Sequence, residues 1–504
     1  MVDDRRLTTP TTPLLDRLAR GGAFTPPTEP TRTPTASTAA IGSTPVSTAG
    51  ASTAGASAAL RSGGVHIASQ ADAPKAPRSL QQTGLRIAQV CDLVLKLLYV
   101  QGTLVGVSIA RQLRLPFPVV DEAIVFLKDE KCIEVASGEL LGRASYRFQL
   151  TERGRTRARE VLDQCRYIGP APVSLDQYVN QCVRQTIAGM VVHLEALRDA
   201  FSGMVIRPGL LDEVGPAICT GRSLFLYGPP GNGKTQLARR IGRLLNTFGG
   251  EVWVPYAVQL DGSIITVFDP TVHVATDSVD ADSTDSQSGG GDPTRLVVDN
   301  STDLRWRRIR RPVIVTGGEL TLEMLDLQYN PASNTYQMPM HIKCNGGVFV
   351  IDDFGRQIVS PRALLNRWVL PLEDRTDFLT LNTGRKIEVP VEQLVIFSTN
   401  LNPADLVDEA FLRRIRHKVH IAPPERSMFE AIFQAECAAA GLTLPPEAVD
   451  YLYSQVYQSG RTARSSDPRD FLEIIKSICR FRNQELHLSV DLVAEAARRF
   501  YPAM

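Results

Sequence analysis

The sequence predicts an α/β fold, a buried parallel sheet with flanking helices, closed at the C-terminal end by a small helical bundle. Three observations predict it. The apolar run 223–227 (Ser-Leu-Phe-Leu-Tyr) is followed by Gly-Pro-Pro-Gly-Asn-Gly-Lys-Thr (228–235) and then by 236–245, whose apolar residues recur at helical spacing. Two more apolar runs, 348–351 and 393–399, end in polar residues, Asp352-Asp353 and Asn400. Past Pro423-Pro424 the chain reads as short helices.

Bulk composition narrows the class. A chain of 504 residues is long enough for roughly three to four domains of about 100–200 residues each. Apolar residues make up 43% and charged residues 22%, which predicts packed cores. The net charge of +1 supplies no global field towards nucleic acid or membrane, so any such binding must come from a local patch. Eight cysteines are scattered without a Cys-x-x-Cys pair, which argues against a zinc ribbon or a disulfide framework and fits a reducing cytoplasm. No stretch approaches the roughly 18 uninterrupted apolar residues of a spanning helix, and the N-terminus lacks a signal pattern. The expectation is a soluble, cytoplasmic protein without direct membrane insertion.

In chain order, residues 1–83 are mostly Thr, Pro, Ala, Ser and Gly and are expected to form a disordered tail, because they bury too little apolar surface to offset chain entropy. Residues 84–166 are expected to fold as one unit: a helix over 85–100, a helix-turn-helix over 107–131, extended pieces at 132–136 and 145–151, and a helix over 152–162. This pattern resembles a winged helix, and Tyr-Arg-Phe-Gln-Leu-Thr-Glu-Arg-Gly-Arg (146–155) looks like the wing-to-helix stretch of bacterial winged-helix domains. The resemblance implies DNA binding or protein docking. The candidate recognition helix carries Asp121, Glu122, Asp129 and Glu130 against Lys128 and Lys131, a net of −2 that favours protein docking over base readout. The arginines of 143–166 leave phosphate contact open. Residues 167–173 read as a rigid linker, after which Ser174 caps a long helix expected to reach about residue 202. The linker and helix thus fill 167–205, the nucleotide-binding domain 206–422 and the helical lid 423–504. Asp467 is expected to cap a lid helix, with Pro468 in its first turn.

The glycine-rich turn is a P-loop. Gly228, Gly231 and Gly233 let the loop, which also holds Pro229, Pro230 and Asn232, fold into a nest whose N–H groups, those of the non-proline residues, face phosphate oxygens at a helix N-terminus. Lys234 is expected to reach the β- and γ-phosphates, and the Thr235 hydroxyl to sit on Mg²⁺. Asp352 then holds Mg²⁺ through water, Asp353 polarises the attacking water, and Asn400 orients it. Protease and metal-enzyme signatures such as His-Glu-x-x-His and Gly-x-Ser-x-Gly are not found.

On these motifs residues 206–504 resemble the AAA+ ATPases. The resemblance implies that 228–235 is Walker A, Asp352-Asp353 Walker B and Asn400 sensor 1. Arg413 or Arg414 is then an arginine finger acting on a neighbour's ATP, and Arg469 a sensor-2 arginine. It also implies a ring oligomer, a hexamer in many members, using ATP and Mg²⁺. Two features depart from the family. The acidic pair is Asp-Asp where Asp-Glu is usual, which implies slow hydrolysis or a closer water. Lys234 and Asp352 are 118 positions apart, and the extra length includes an acidic Gly/Ser-rich run (276–292) expected to be disordered. The flanking stretches 255–265 and 311–320 are expected to form a β-rich elaboration, facing a ring pore or partner or serving as decoration. More narrowly, Asp-Asp-Phe-Gly-Arg-Gln (352–357), Leu-Leu-Asn-Arg-Trp (364–368) and Ser-Thr-Asn-Leu-Asn-Pro (398–403) look like bacterial chaperone-like AAA+ ATPases linked to Flp pilus assembly. That implies an unidentified protein target. A DNA-associated factor and a nucleotide-gated scaffold are the alternatives.

Overall fold

The computed structural model describes residues 73–138, 142–276, 301–406, 409–458 and 460–501, all within the Ser62–Met504 unit. Its central element is a five-stranded sheet whose pairings are all parallel. From one edge the strands are Val313–Thr316, Val348–Ile351, Leu394–Thr399, Ser223–Tyr227 and His417–His420. The three inner strands are almost wholly buried, as a parallel sheet covered by helices on both faces requires. One face packs on the Lys234–Phe248 helix through Leu237, Ile241 and Leu244. The other packs on Trp368 and Leu364 of the Pro361–Glu373 helix, with Phe349 stacked on Trp368 at 5.5 Å.

The N-terminal unit has helices Ile87–Gln101, Gly106–Leu113, Phe117–Asp129 and Glu152–Gln164. Its three-stranded antiparallel sheet places Arg147–Leu150 between Leu104–Val105 and Ile133–Ser137. Val90, Val94, Val120, Ile124 and Phe148 form its core. Pro118 sits in the first turn of its helix, where a missing N–H costs nothing.

Three expectations are corrected here. Structure begins before residue 84. The backbone of Pro74 and Ala76 pairs with Asp303 and Ser301 at 2.7 and 3.0 Å, and Leu80–Thr83 is a helical turn. The partners lie more than 200 positions away, so composition gave no sign of them. The long helix from Ser174 ends at Arg184 and a separate helix spans Leu194–Ala200. The Gln185 side chain leaves the helix to bond the Trp253 backbone in both directions, at 2.8 and 2.9 Å. Gly189 then takes φ +82°, and Ile187, Met190, Leu197 and Phe201 join the core of the central sheet, so that core starts ahead of residue 206. Asp467 is the first residue of its helix; Ser466 takes the cap position. Of the acidic run 276–292, all but Thr276 lies outside the described residues.

The linker ends in a short strand. Val173–Ser174 joins the edge of a second sheet, ordered Gln328–Asn330, Thr335–Gln337, Ser263–Thr266, Ala257–Leu260, Val173–Ser174. This is the β-rich elaboration expected of 255–265, and Glu251–Pro255 paired with Trp306–Arg310 packs into the same core. The other stretch expected in it, 311–320, does not join it: Val313–Thr316 pairs parallel with Val348–Ile351 and is the edge strand of the central sheet. Arg305 secures the junction. Its fully buried guanidinium bonds both oxygens of Asp303 (3.0 and 2.8 Å) and the carbonyls of Thr83 (2.8 Å) and Pro172 (3.1 Å). One side chain therefore ties the N-terminal segment, the linker and the elaboration together. Arg305→Ala strands a buried carboxylate and two buried carbonyls and is expected to cost about 3–5 kcal/mol. The double change Asp303→Leu/Arg305→Met is expected to cost less. Denaturant midpoints of the two variants check this.

Candidate nucleotide site

The sheet register places the functional residues. Tyr227 pairs beside Thr399, Phe397 beside Ile351, and Ile351 beside Thr316. Parallel strands aligned in this way end together, so the P-loop, Asp352-Asp353 and Asn400 emerge on one edge. This is the carboxyl edge where open α/β sheets bind ligands.

Side chains meet across that edge. Thr235 Oγ1 donates to Asp352 Oδ1 at 3.1 Å. Asn400 Nδ2 donates to Asp353 Oδ1 at 3.0 Å. Asp353 has φ +49°, a left-handed conformation that Asp tolerates better than most residues. Gln357 holds this turn. Its buried amide donates to the carbonyls of Asp352 (3.1 Å) and Asp353 (3.3 Å) and accepts from Gly355 N–H (2.8 Å). Sequence reasoning gave Gln357 no role, because a glutamine four residues past an acid carries no signal of its own.

Lys234 is buried and donates to the carbonyls of Gly228 and Pro229, both at 2.8 Å. Burial holds its ammonium below the usual lysine range; Asp353 and Asp352 oppose that shift, and Arg356 adds to it. The sequence reading quoted Arg356 within 352–357 but gave it no role of its own. Asn232 is buried too, and its Oδ1 accepts from Ser465 N–H of the lid at 3.1 Å. Pro229 and Pro230 are exposed at the tip of the loop.

Two glycines are fixed by space. A Cβ at Gly228 (φ +140°) would lie 2.2 Å from the Ile421 carbonyl, and one at Gly231 (φ +83°) 2.9 Å from Ser466 Oγ. The cradle thus admits backbone only, as a phosphate nest requires. A buried ammonium, a nest at the start of a 15-residue helix and an oxygen-only pair, Thr235 and Asp352, fit a nucleoside triphosphate with Mg²⁺.

The arginines are not brought to this edge. Arg413 and Arg414 precede His417–His420, which runs parallel to the P-loop strand, so they lie at the opposite edge of the sheet. Over a strand of that length the separation is roughly 15 Å. Arg414 Nε donates to Glu373 at 2.5 Å, whereas Arg413 is exposed. At the same edge Arg375 donates to the carbonyl of Gly221, two residues before the P-loop strand. Arg469 is half exposed, and its guanidinium lies 3.4 Å from Asp470 on its own helix.

Residues 425–499, the lid, match the model of a family described as "Domain of unknown function (DUF8689)". Short stretches are similar to curated vesicle-fusion proteins. The vesicular-fusion protein sec18 of Schizosaccharomyces pombe is 41% identical over 61 residues, 12% of this chain and 7% of that protein. The vesicular-fusion protein SEC18 of Saccharomyces cerevisiae is 45% identical over 49 residues (10% and 6%), and the vesicle-fusing ATPase of Dictyostelium discoideum is 42% identical over 52 (10% and 7%). The chain therefore spans only 6–7% of the length of these relatives. Among solved structures, NtrX from Brucella abortus aligns over 77% of this chain and 63% of its own, at TM-score 0.34 and 13% identity. The RuvB Holliday junction branch migration motor of Thermotoga maritima aligns over 65% and 71%, at TM-score 0.30 and 12% identity. With its five-stranded parallel sheet, the chain is an α/β protein that carries a short stretch similar to these vesicle-fusion proteins.

Gly228→Ala is expected to force the P-loop away from Ile421 and to reduce nucleotide affinity at least about tenfold. An equilibrium titration with a fluorescent ATP analogue measures this. Gly262→Ala, at a turn with open space, is the matched control and is expected to bind as the unsubstituted protein does.

Proposed function

We propose that this chain is a subunit of an ATP-hydrolysing AAA+ ring, a hexamer by family resemblance, that remodels or assembles a protein complex. The observation that carries this reading is the pairing of Thr235 with Asp352 and of Asn400 with Asp353 at the mouth of the P-loop.

In this reading the N–H groups of the loop and Lys234 bind the phosphates, and Thr235 and Asp352 hold Mg²⁺. When bound, Mg²⁺ neutralises charge developing on the phosphate oxygens. Asp353 orients and polarises water, and Asn400 fixes the aim of its carboxylate. Asp353 is one methylene shorter than glutamate, so slow turnover is expected. Arg413 and Arg414 sit across the sheet from their own P-loop, so they can serve only a neighbouring subunit's nucleotide. The exposed Arg413 is the better finger, and Arg414, tethered to Glu373, sets the segment that carries it.

The N-terminal unit supports protein docking. On the candidate recognition helix Asp121 is paired with Arg143 (2.6 Å), and just past its end Glu130 is paired with Arg153 (2.9 Å). Two arginines available for phosphate contact are thus engaged by acids, while Glu122, Phe126 and Asp129 stay exposed. The stretches 352–357, 364–368 and 398–403 point to a pilus or secretion assembly as the target complex. Among the described residues no helix is long and apolar enough to cross a membrane.

ATP turnover per subunit is expected to rise with protein concentration and to be lost in Lys234→Ala, Asp353→Asn and Arg413→Ala. Arg413→Ala is expected to retain ATP binding, and mixing it with Lys234→Ala should restore part of the activity. Phosphate release assays decide this; concentration-independent turnover would exclude a finger supplied by a neighbour. Duplex DNA binding is expected to be weak, with a Kd no tighter than about 10⁻⁴–10⁻⁶ M at physiological salt. Fluorescence anisotropy across a salt series tests it, and tighter binding with a steep salt slope would favour a DNA-associated factor.

A further inference from the structure

Gln328–Asn330 is the outermost strand of the elaboration's sheet, and all three of its residues are exposed. Met338 N–H donates to the Thr266 carbonyl at 2.9 Å. Residues 336 and 338 therefore turn their backbone groups towards Ser263–Thr266, and residues 335 and 337 turn theirs towards 328–330. Gln328 and Asn330 face their partners Gln337 and Thr335, so Tyr329, between them, points its N–H and C=O off the sheet. Among the described residues neither group has a partner. Open edges are usually blunted by charged residues or bulges. This strand has neither, and Pro331 follows it rather than interrupting it.

The two faces beside this edge differ. Residues opposite one another share a face. Tyr329 thus lies with Tyr336, which packs in the core with Ile265, and the two tyrosine rings are 5.2 Å apart. The Tyr329 residue itself is 39% exposed, so its ring can take a further neighbour. The other face carries Gln328, Asn330, Thr335, Gln337 and Thr266, which line an open cavity of about 370 Å³. None of the residues lining it is charged.

The edge is held in place from several sides. Asp326 Oδ1 accepts from Leu327 N–H and Thr380 N–H, both at 2.8 Å, which fixes the start of the strand. Tyr329 OH donates to Asn334 Oδ1 at 2.8 Å, and the Ser333 carbonyl accepts from Arg166 N–H at 2.8 Å. The amides of the cavity are oriented too. Asn330 Oδ1 accepts from Ala332 N–H at 3.0 Å, and Gln337 Nε2 donates to Asp269 Oδ2 at 3.4 Å.

We propose that this edge takes up an extended segment of a partner protein as an added strand, with an apolar residue opposite Tyr329 and small uncharged polar residues on either side. One residue of the segment exchanges two backbone hydrogen bonds with Tyr329. Its side chain then falls on the face of the exposed Tyr329 ring, where a β-branched residue packs well. The two neighbouring side chains project on the face of Gln328 and Asn330, beside the cavity. An ionised group there would lose water without gaining a counter-charge, and a bulky apolar one would leave the amides unpaired. Ser, Thr, Asn and Gln meet both conditions. Because the strand is already held, little ordering is needed on binding. The assignment rests on the geometry of this edge and stands apart from the nucleotide reading.

The test is fluorescence anisotropy of the full chain with the labelled peptide Gly-Ser-Asn-Thr-Val-Thr-Gln-Ser-Gly. Three comparisons accompany it: the same peptide N-methylated at its valine, the unsubstituted peptide with Tyr329→Pro, and the unsubstituted peptide with Gln337→Ala. Saturable binding is expected, weakened at least about tenfold by N-methylation and by Tyr329→Pro, and about threefold by Gln337→Ala. Proline is tolerated in edge strands, so Tyr329→Pro is expected to melt near the unsubstituted protein. Should it unfold, the N-methylated peptide decides the matter on the unsubstituted protein. Equal affinity for the N-methylated peptide, or a peptide Kd weaker than about 1 mM, would overturn the assignment. Displacement of the peptide by maltotriose would overturn it in favour of a saccharide. Self-association that rises with concentration and is lost in Tyr329→Pro would overturn it in favour of a second copy of this chain.

Discussion

Parallel register is the constraint from which the site follows. Because Leu394–Thr399 pairs in the same direction with both Ser223–Tyr227 and Val348–Ile351, three segments distant in sequence must end on one edge. Each strand end then places a different group: a nest and an ammonium, two carboxylates, and an amide. The hydrogen bonds between Thr235 and Asp352 and between Asn400 and Asp353 are consequences of that alignment. A shift of one residue in either pairing would exchange the two differently packed buried faces and separate these partners.

The same directionality makes the site one-sided. A parallel strand that begins beside Leu224 and ends beside Tyr227 leaves the residues before it at the far edge, which is where Arg413 and Arg414 fall. Among the described residues, Lys234 and Arg356 stand at the P-loop edge and the arginine pair at the opposite one. Glu373, at the end of the helix beneath that edge, already neutralises Arg414. The division of cations between two edges is a property of one fold, and the proposed ring rests on it.

Attachment of the N-terminal unit depends on a different interaction. Arg305 and Asp303 form a buried ion pair whose remaining donors satisfy the carbonyls of Thr83 and Pro172. Such a pair is costly to desolvate and is held only where every donor is used. Here it fixes geometry, because the segment before the first long helix and the linker after the last must both reach one guanidinium. The N-terminal unit is therefore seated on the elaboration, and Val173–Ser174 extends the elaboration's sheet as an edge strand.

The sequence by itself determined the strand–loop–helix at 223–248, the acid-ended and amide-ended strands, and the helix and strand order of 84–166. In each case the signal is local: apolar runs, helical periodicity, glycines where the backbone must approach phosphate, and turn residues between them. What only the tertiary structure decided has partners far away in the chain. The order of residues 73–83 comes from backbone pairing with 301–303, and the break after Arg184 from the pull of Gln185 towards Trp253. Arg356 and Gln357 lie within the quoted stretch 352–357, but their roles could not be read there. Those roles follow from how a turn and a strand end meet the P-loop, and no spacing along the chain records that meeting.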